Sequence, residues 1–254
     1  MGPTIRSVVM PDDDDQLGRP ERKRQQRARL FIDAAKRIIA DEGFEGLTMS
    51  RLASELDTVV SAVYRYFPSK GALVAEIQRE GIEAMSASLV AGVERCDRAI
   101  ADAGLDDRAG AVTRLVMLGR WWCATSETYP EELRVFQMIM SQRSSALDAE
   151  GGMRIFPIAM GMLGHVVEVV DSAVAAGVIT AGTSLDRAVL WPSALSGVIQ
   201  TDDLERYLPE MFGTTRLARQ TNLDLLAGWG ADRELLATAS GFVDGLAADG
   251  PLAP

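Results

Sequence analysis

The chain has 254 residues, 47% of them apolar, and a net charge of −10. Its two cysteines, Cys96 and Cys123, are too few for a disulfide framework, and the single histidine, His165, cannot complete a standard metal site with them. No run of about 20 uninterrupted apolar residues and no charged-then-apolar leader is present, so a reducing, cytoplasmic setting without membrane contact is expected.

Charge is spread unevenly. Residues 1–18 hold one Arg against four Asp, residues 19–70 hold eleven Lys or Arg against seven acids, and the remaining 184 residues hold fourteen against twenty-five. A basic module therefore precedes an acidic body, which suits site-selective nucleic-acid binding better than indiscriminate coating of polyanions. Lys70 is the last lysine, which excludes a phosphate-loop or Schiff-base lysine from the body.

In chain order, residues 1–18, with the run Asp12 to Asp15, read as a disordered acidic tail. From Pro20 an amphipathic helix follows, with Leu30, Phe31, Ala34, Ala35, Ile38 and Ile39 as its apolar stripe and Gly43 as its stop. Its first turns carry a basic arm, Arg19, Arg22, Lys23, Arg24, Arg27 and Arg29, suited to neutralising phosphates. Thr48 predicts an N-cap for a short helix through Leu56. After a break at Asp57 and Thr58, the segment Val59 to Phe67 places Val59, Val63 and Phe67 on one helical stripe. Ser69 is placed to cap a long helix, which Gly81 and Gly92 would soften. Two short helices joined by a tight turn, behind an arginine-rich helix, are what a helix-turn-helix reader requires.

These residues carry a resemblance. The stretch Gly43 to Thr48, then Leu52-Ala53, then Val63-Tyr64-Arg65-Tyr66-Phe67-Pro68-Ser69-Lys70 resembles the DNA-binding domain of TetR-family transcriptional regulators over about 50 residues. The resemblance implies that Thr48, Tyr64 and Lys70 contact phosphates, that Tyr66 takes the place of a histidine, and that Phe67 packs a three-helix core. Three positions depart from the family pattern: Asp57 stands for glycine, Thr58 for valine, and Val59 for a capping serine. Asp57 or Thr58 is expected to cap in its place and to lengthen the recognition helix. Base reading then falls to Val60, Ser61 and Ala62, with Thr58, through thymine methyls and DNA shape; phosphate contact falls to Arg24, Arg27, Thr48, Tyr64, Tyr66 and Lys70.

Beyond Asp107 the chain repeats helical stripes between short breaks, with helices expected near 107–125, 130–142, 154–176, 184–199, 214–229 and 232–247, the fourth of these six stretches expected to kink or shorten at Pro192. The expected architecture is all-α: tail 1–18, helix-turn-helix domain 19–70, and a helical body 71–254 for ligand binding and dimerisation. Met117, Arg120, Trp121, Met138, Phe156, Met160, His165 and Glu168 are candidates to line a site for a small apolar effector. Helices 184–199 and 232–247 are candidates for the homodimer interface, and Phe242→Glu is expected to disperse the dimer. No cofactor and no metal are expected, and no catalytic spacing supports an enzyme built on Cys123, His165 or Glu168. The expected function is a dimeric repressor on palindromic operator DNA, released by a small effector; the alternative is a regulator whose body recruits a protein partner.

Overall fold

A computed structural model of the chain describes residues 18–130, 133 and 149–253. The acidic tail up to residue 17, and most of the helix expected over 130–142 including Phe136, Met138 and Met140, lie outside the described residues. Within them the chain forms eleven α-helices and no strand, in two compact units, one ending at Leu73 and the other beginning at Val74.

The first unit is built from α1 (Arg19–Gly46), α2 (Met49–Glu55), α3 (Val60–Tyr64) and the start of α4 (Lys70–Asp102). Pro20 lies in the first turn of α1, where a missing N–H leaves no bond unmade. Phe31, Ile32, Ala34, Ala35, Ile38 and Ile39 form the buried face of α1, whereas Leu30, expected in that stripe, is half exposed. Gly43, at φ 74°, interrupts the regular helix as expected, and one further turn carries the chain to Gly46. The Thr48 hydroxyl accepts from Arg51 N at 3.0 Å and caps α2. Ser69 Oγ accepts from Ala72 N at 2.9 Å at the start of α4. Phe31 meets Tyr66 and Phe67 with ring centroids 5.3 and 6.4 Å apart, closing the small core.

The second unit holds the rest of α4 with α5 (Asp107–Thr128), α6 (Ala149–Ala175), α7 (Ser184–Ile199), α8 (Asp202–Glu205), α9 (Pro209–Phe212), α10 (Thr214–Gly228) and α11 (Arg233–Ala248). Helix α5 is its centre and packs against α6, α7, α10 and α11, so it is apolar on several sides rather than along one stripe. Carboxylates cap two of these helices: Asp106 accepts from Ala109 N at 2.8 Å, and Asp232 from Glu234 N and Leu235 N at 3.0 Å each. Helix α7 runs through Pro192 for its whole expected span instead of stopping early. The short helices α8 and α9 have no counterpart in the sequence reading.

Two glycines are required by close approach. A Cβ on Gly119 of α5 would overlap the Asn222 side chain of α10, whose Oδ1 accepts from Trp191 Nε1 at 2.8 Å. A Cβ on Gly92 would stand 2.9 Å from the Leu252 carbonyl oxygen, so Gly92 admits the C-terminal segment against α4 and is not the soft point expected of it. Arg95 fastens that segment, donating to the carbonyls of Leu246, Gly250 and Pro251 at 2.5, 2.9 and 2.7 Å. The run Ile155–Ala175 of α6 is long and apolar enough, with mean hydropathy 1.5, to cross a membrane by composition, a stretch the sequence reading passed over because His165, Glu168 and Asp171 interrupt it.

Candidate functional site

The first unit presents cations and a short helix to solvent. Arg24 and Arg27 are exposed on the first turns of α1, with the Arg27 guanidinium 5.9 Å from the Phe31 ring centroid. Thr48 is exposed at the start of α2, its hydroxyl hydrogen still able to donate to a phosphate. Arg51 is committed elsewhere: it bonds Glu42 at 2.9 Å and Glu55 at 2.7 Å, and the first of these bonds leads in raising its pKa. Lys70 Nζ donates to the Phe44 carbonyl oxygen at 3.0 Å and lies 4.1 Å from the Phe44 ring centroid, so it joins the start of α4 to the end of α1 and keeps two N–H groups for other acceptors.

The turn into α3 explains the three departures from the family pattern. Asp57 takes φ 47°, the left-handed region that glycine enters freely and aspartate tolerates better than most residues. Thr58 N donates to the Ala53 carbonyl oxygen at 2.9 Å and is part of the turn. Val59 is the N-cap residue and makes no side-chain bond, so neither Asp57 nor Thr58 caps α3, which stays at five residues instead of lengthening.

That short helix fixes which side chains face outward. Ser61 is exposed and Val60 and Thr58 are half-buried, but Ala62, expected at a base edge, is buried at 9% exposure and packs inward with Val63. Tyr66 is half-buried against Phe31, while Tyr64 is 49% exposed. Two outward residues were missed by the sequence reading: Val59, 67% exposed because it precedes the helix, and Arg65, exposed at the helix end. The segment thus offers Val59, Ser61, Tyr64 and Arg65 together, one apolar surface, one hydroxyl, one phenol and one guanidinium.

In the body, the expected effector residues do not come together. Met117 and Trp121 are buried in the core, with Trp121 Nε1 donating to Ser88 Oγ at 3.1 Å. Phe156 and Met160 are 63% and 40% exposed, and His165 Nδ1 stands 3.7 Å from Glu168 Oε2 with both side chains on the surface of α6. Arg120 lines a cleft, and Met138 lies outside the described residues. That cleft has a volume of about 430 Å³ and is walled by the second half of α5, the end of α7, the start of α10 and the C-terminal segment. Its lining is mixed, with Ala124, Ile199, Ala218 and Leu252 beside Thr215, Arg219 and Glu127. Cys123 lies there too; burial pushes its thiol up to about 11 against the pull of Arg120, which keeps it protonated and unreactive at neutral pH. Among the described residues, no group of three or more His, Cys, Asp or Glu side chains gathers as for a metal ion.

Comparison with known proteins matches the N-terminal region most closely in sequence. Residues 31–77 match the family model for bacterial regulatory proteins of the tetR family. The chain is 49% identical over 43 residues to the HTH-type transcriptional repressor DrrR1 of Streptomyces coeruleorubidus, a match spanning 17% of this chain and 16% of that protein. Among solved structures it is similar to the regulatory protein SCO4313, with a TM-score of 0.56 at 24% identity, covering 82% of this chain and 98% of that one. It is also similar to a transcriptional regulator from Saccharomonospora viridis in complex with choline, with a TM-score of 0.51 at 20% identity, covering 80% and 96%. At these identities the structural likeness is one of fold, and it extends through the helical body.

Proposed function

We propose, from the match of residues 31–77 to the tetR family of bacterial regulatory proteins, that the chain represses transcription as a homodimer on a palindromic operator and is released by a small molecule held in the body. The observation that carries the reading is the outward set Val59, Ser61, Tyr64 and Arg65 on and around α3, next to the exposed cations of α1 and the capped start of α2. Val59 offers a surface for a thymine methyl and Ser61 a hydrogen bond to a base edge. Tyr64, Arg65, Thr48 and the α1 arginines take phosphates and fix the register without choosing sequence.

A single short helix reads too few base pairs for genomic selectivity, so two copies on a two-fold site are required. Leu185, Val189 and Leu190 of α7 are 46%, 48% and 59% exposed, an apolar row that a second copy would cover. Gly241 and Gly245 of α11 have open space around them and allow a partner helix close approach. Phe242 is half-buried and packs on the body's own core.

Release requires that the small molecule bind better to a body conformation that spaces the two reading helices wrongly; a coupling of about 1–3 kcal/mol changes DNA affinity roughly 5- to 150-fold. The volume of about 430 Å³ suits such a molecule. The test is fluorescence-anisotropy titration of the purified protein against DNA flanking its own gene, with a scrambled duplex and a salt series. Selective binding on the flanking DNA is expected; equal, salt-sensitive binding to both duplexes contradicts the assignment of that DNA. Arg65→Ala separates the roles within the site: it is expected to weaken binding to all duplexes alike and to lower the salt slope by about 1.

A further inference from the structure

The chemistry of the body cleft narrows what it takes up, an inference that rests on the reading of the body as an effector-binding domain. Two guanidiniums on its wall share one carboxylate. Arg219 Nη2 stands 2.7 Å from Asp244 Oδ2 and donates to Ser240 Oγ at 2.8 Å. Arg120 Nη2 reaches Asp244 Oδ1 only at 3.4 Å and, among the described residues, makes no hydrogen bond. The Arg120 side chain is nevertheless about three-quarters buried, at 24% exposure. A guanidinium has five N–H donors and cannot lose its charge, so a part-buried one with a single long ion pair is short of acceptors. Its charge is short of a partner as well, because Asp244 neutralises one of the two cations and the exposed Glu127 at the rim pairs with neither.

We propose that the cleft binds a small monoanionic carboxylate with an apolar remainder, its carboxylate on Arg120 and its apolar part against Ala124, Ile199, Ala218 and Leu252. The planar fork of Arg120 matches a carboxylate bidentately, and the bond is charge-assisted. Thr215, which also lines the cleft, adds a hydroxyl donor. Glu127 limits the charge to one, since a dianion would meet it at the mouth. Of the residues from which the sequence reading drew a small apolar effector, Phe156, Met160 and Met117 do not line this cleft, whereas Arg120 does.

Isothermal titration of the full chain with 1-naphthoate, its neutral isostere 1-naphthamide and inorganic phosphate tests the assignment. Naphthoate is expected to bind saturably, the amide at least about tenfold more weakly, and phosphate not at all. Arg120→Met should abolish the preference for the acid over the amide. Asp244→Asn, which frees both arginines, should strengthen naphthoate binding, a gain that misfolding cannot imitate. No saturable naphthoate binding, equal binding of acid and amide, phosphate competing with naphthoate, or an unchanged preference in Arg120→Met each overturns the proposal. Operator titration run in parallel keeps the two readings apart. Selective DNA binding without naphthoate binding defeats the carboxylate proposal alone, whereas naphthoate binding that leaves DNA affinity unchanged upholds it and defeats the coupling of body to operator.

Discussion

At Asp57 one side chain does what the family assigns to glycine. A φ of 47° costs an ordinary L-residue roughly 1–2 kcal/mol, and aspartate less, because its short carboxylate bonds locally. Asp57→Gly is therefore expected to leave stability unchanged or slightly raised, and Asp57→Val to lower it by about 1–2 kcal/mol in urea denaturation. Equal stability of the two variants would show that the turn is not held in the left-handed region. Thr48→Ala removes the cap of α2 and should cost about 1 kcal/mol, with a further loss of DNA affinity from the missing phosphate donor.

The cysteines give the chain an alkaline limit. Burial pushes Cys96 up to about 12 and Cys123 up to about 11, both from an ordinary value of 9.0. Above pH 9 the unfolded chain releases thiol protons that the folded chain retains, so folding stability is full below that pH and falls as pH rises through about 11 and then about 12. Cys123→Ala should flatten the first part of that decline in denaturation measured against pH. An identical decline in the variant would place its cause elsewhere.

At the scale of elements, the helices were largely legible because each long one repeats its apolar residues often enough to fix a face. The stretch 184–199 was read to its observed ends, and the cap residues Thr48 and Ser69 announced the starts of α2 and α4. Helix α3 was harder. Five residues make little more than one turn, so the stripe Val59, Val63 and Phe67 extends beyond the helix at both ends, and Val59 emerges exposed. The buried pair Ala62 and Val63 marks its inner side, and Arg65 follows from that register only once the helix end is known. In the body, the packing of α5 against α10 turns on Gly119, Asn222 and Trp191, which the sequence cannot bring together. Gly119→Ala should destabilise by about 1–3 kcal/mol by forcing Asn222 aside and breaking its bond from Trp191. A melting temperature equal to the parent's would show that the contact is looser than the structure has it.

For the whole molecule, the division into a basic N-terminal module and an acidic body was visible in the distribution of charge, but the cleft in the body was not. Large apolar residues at helical spacing mark either core or surface, and only the fold sorts them: Met117 and Trp121 went inside, Phe156 and Met160 outside, and the cleft formed from segments as far apart as Arg120 and Leu252. The exposed apolar row of α7 supplies a test of dimerisation. Leu190→Glu should yield a folded monomer in analytical ultracentrifugation. A folded Leu190→Glu dimer would remove α7 from the interface.

On the proposed function, the face around α3 reads a two-fold DNA site. An unbiased selection of random duplexes on the purified chain tests it most directly, carried out in parallel on Ser61→Ala. Enrichment of an inverted repeat is expected, with a shifted preference at one base pair of each half-site in the variant. A selected pool that stays random, or an inverted repeat read identically by both proteins with the same affinity, would contradict it.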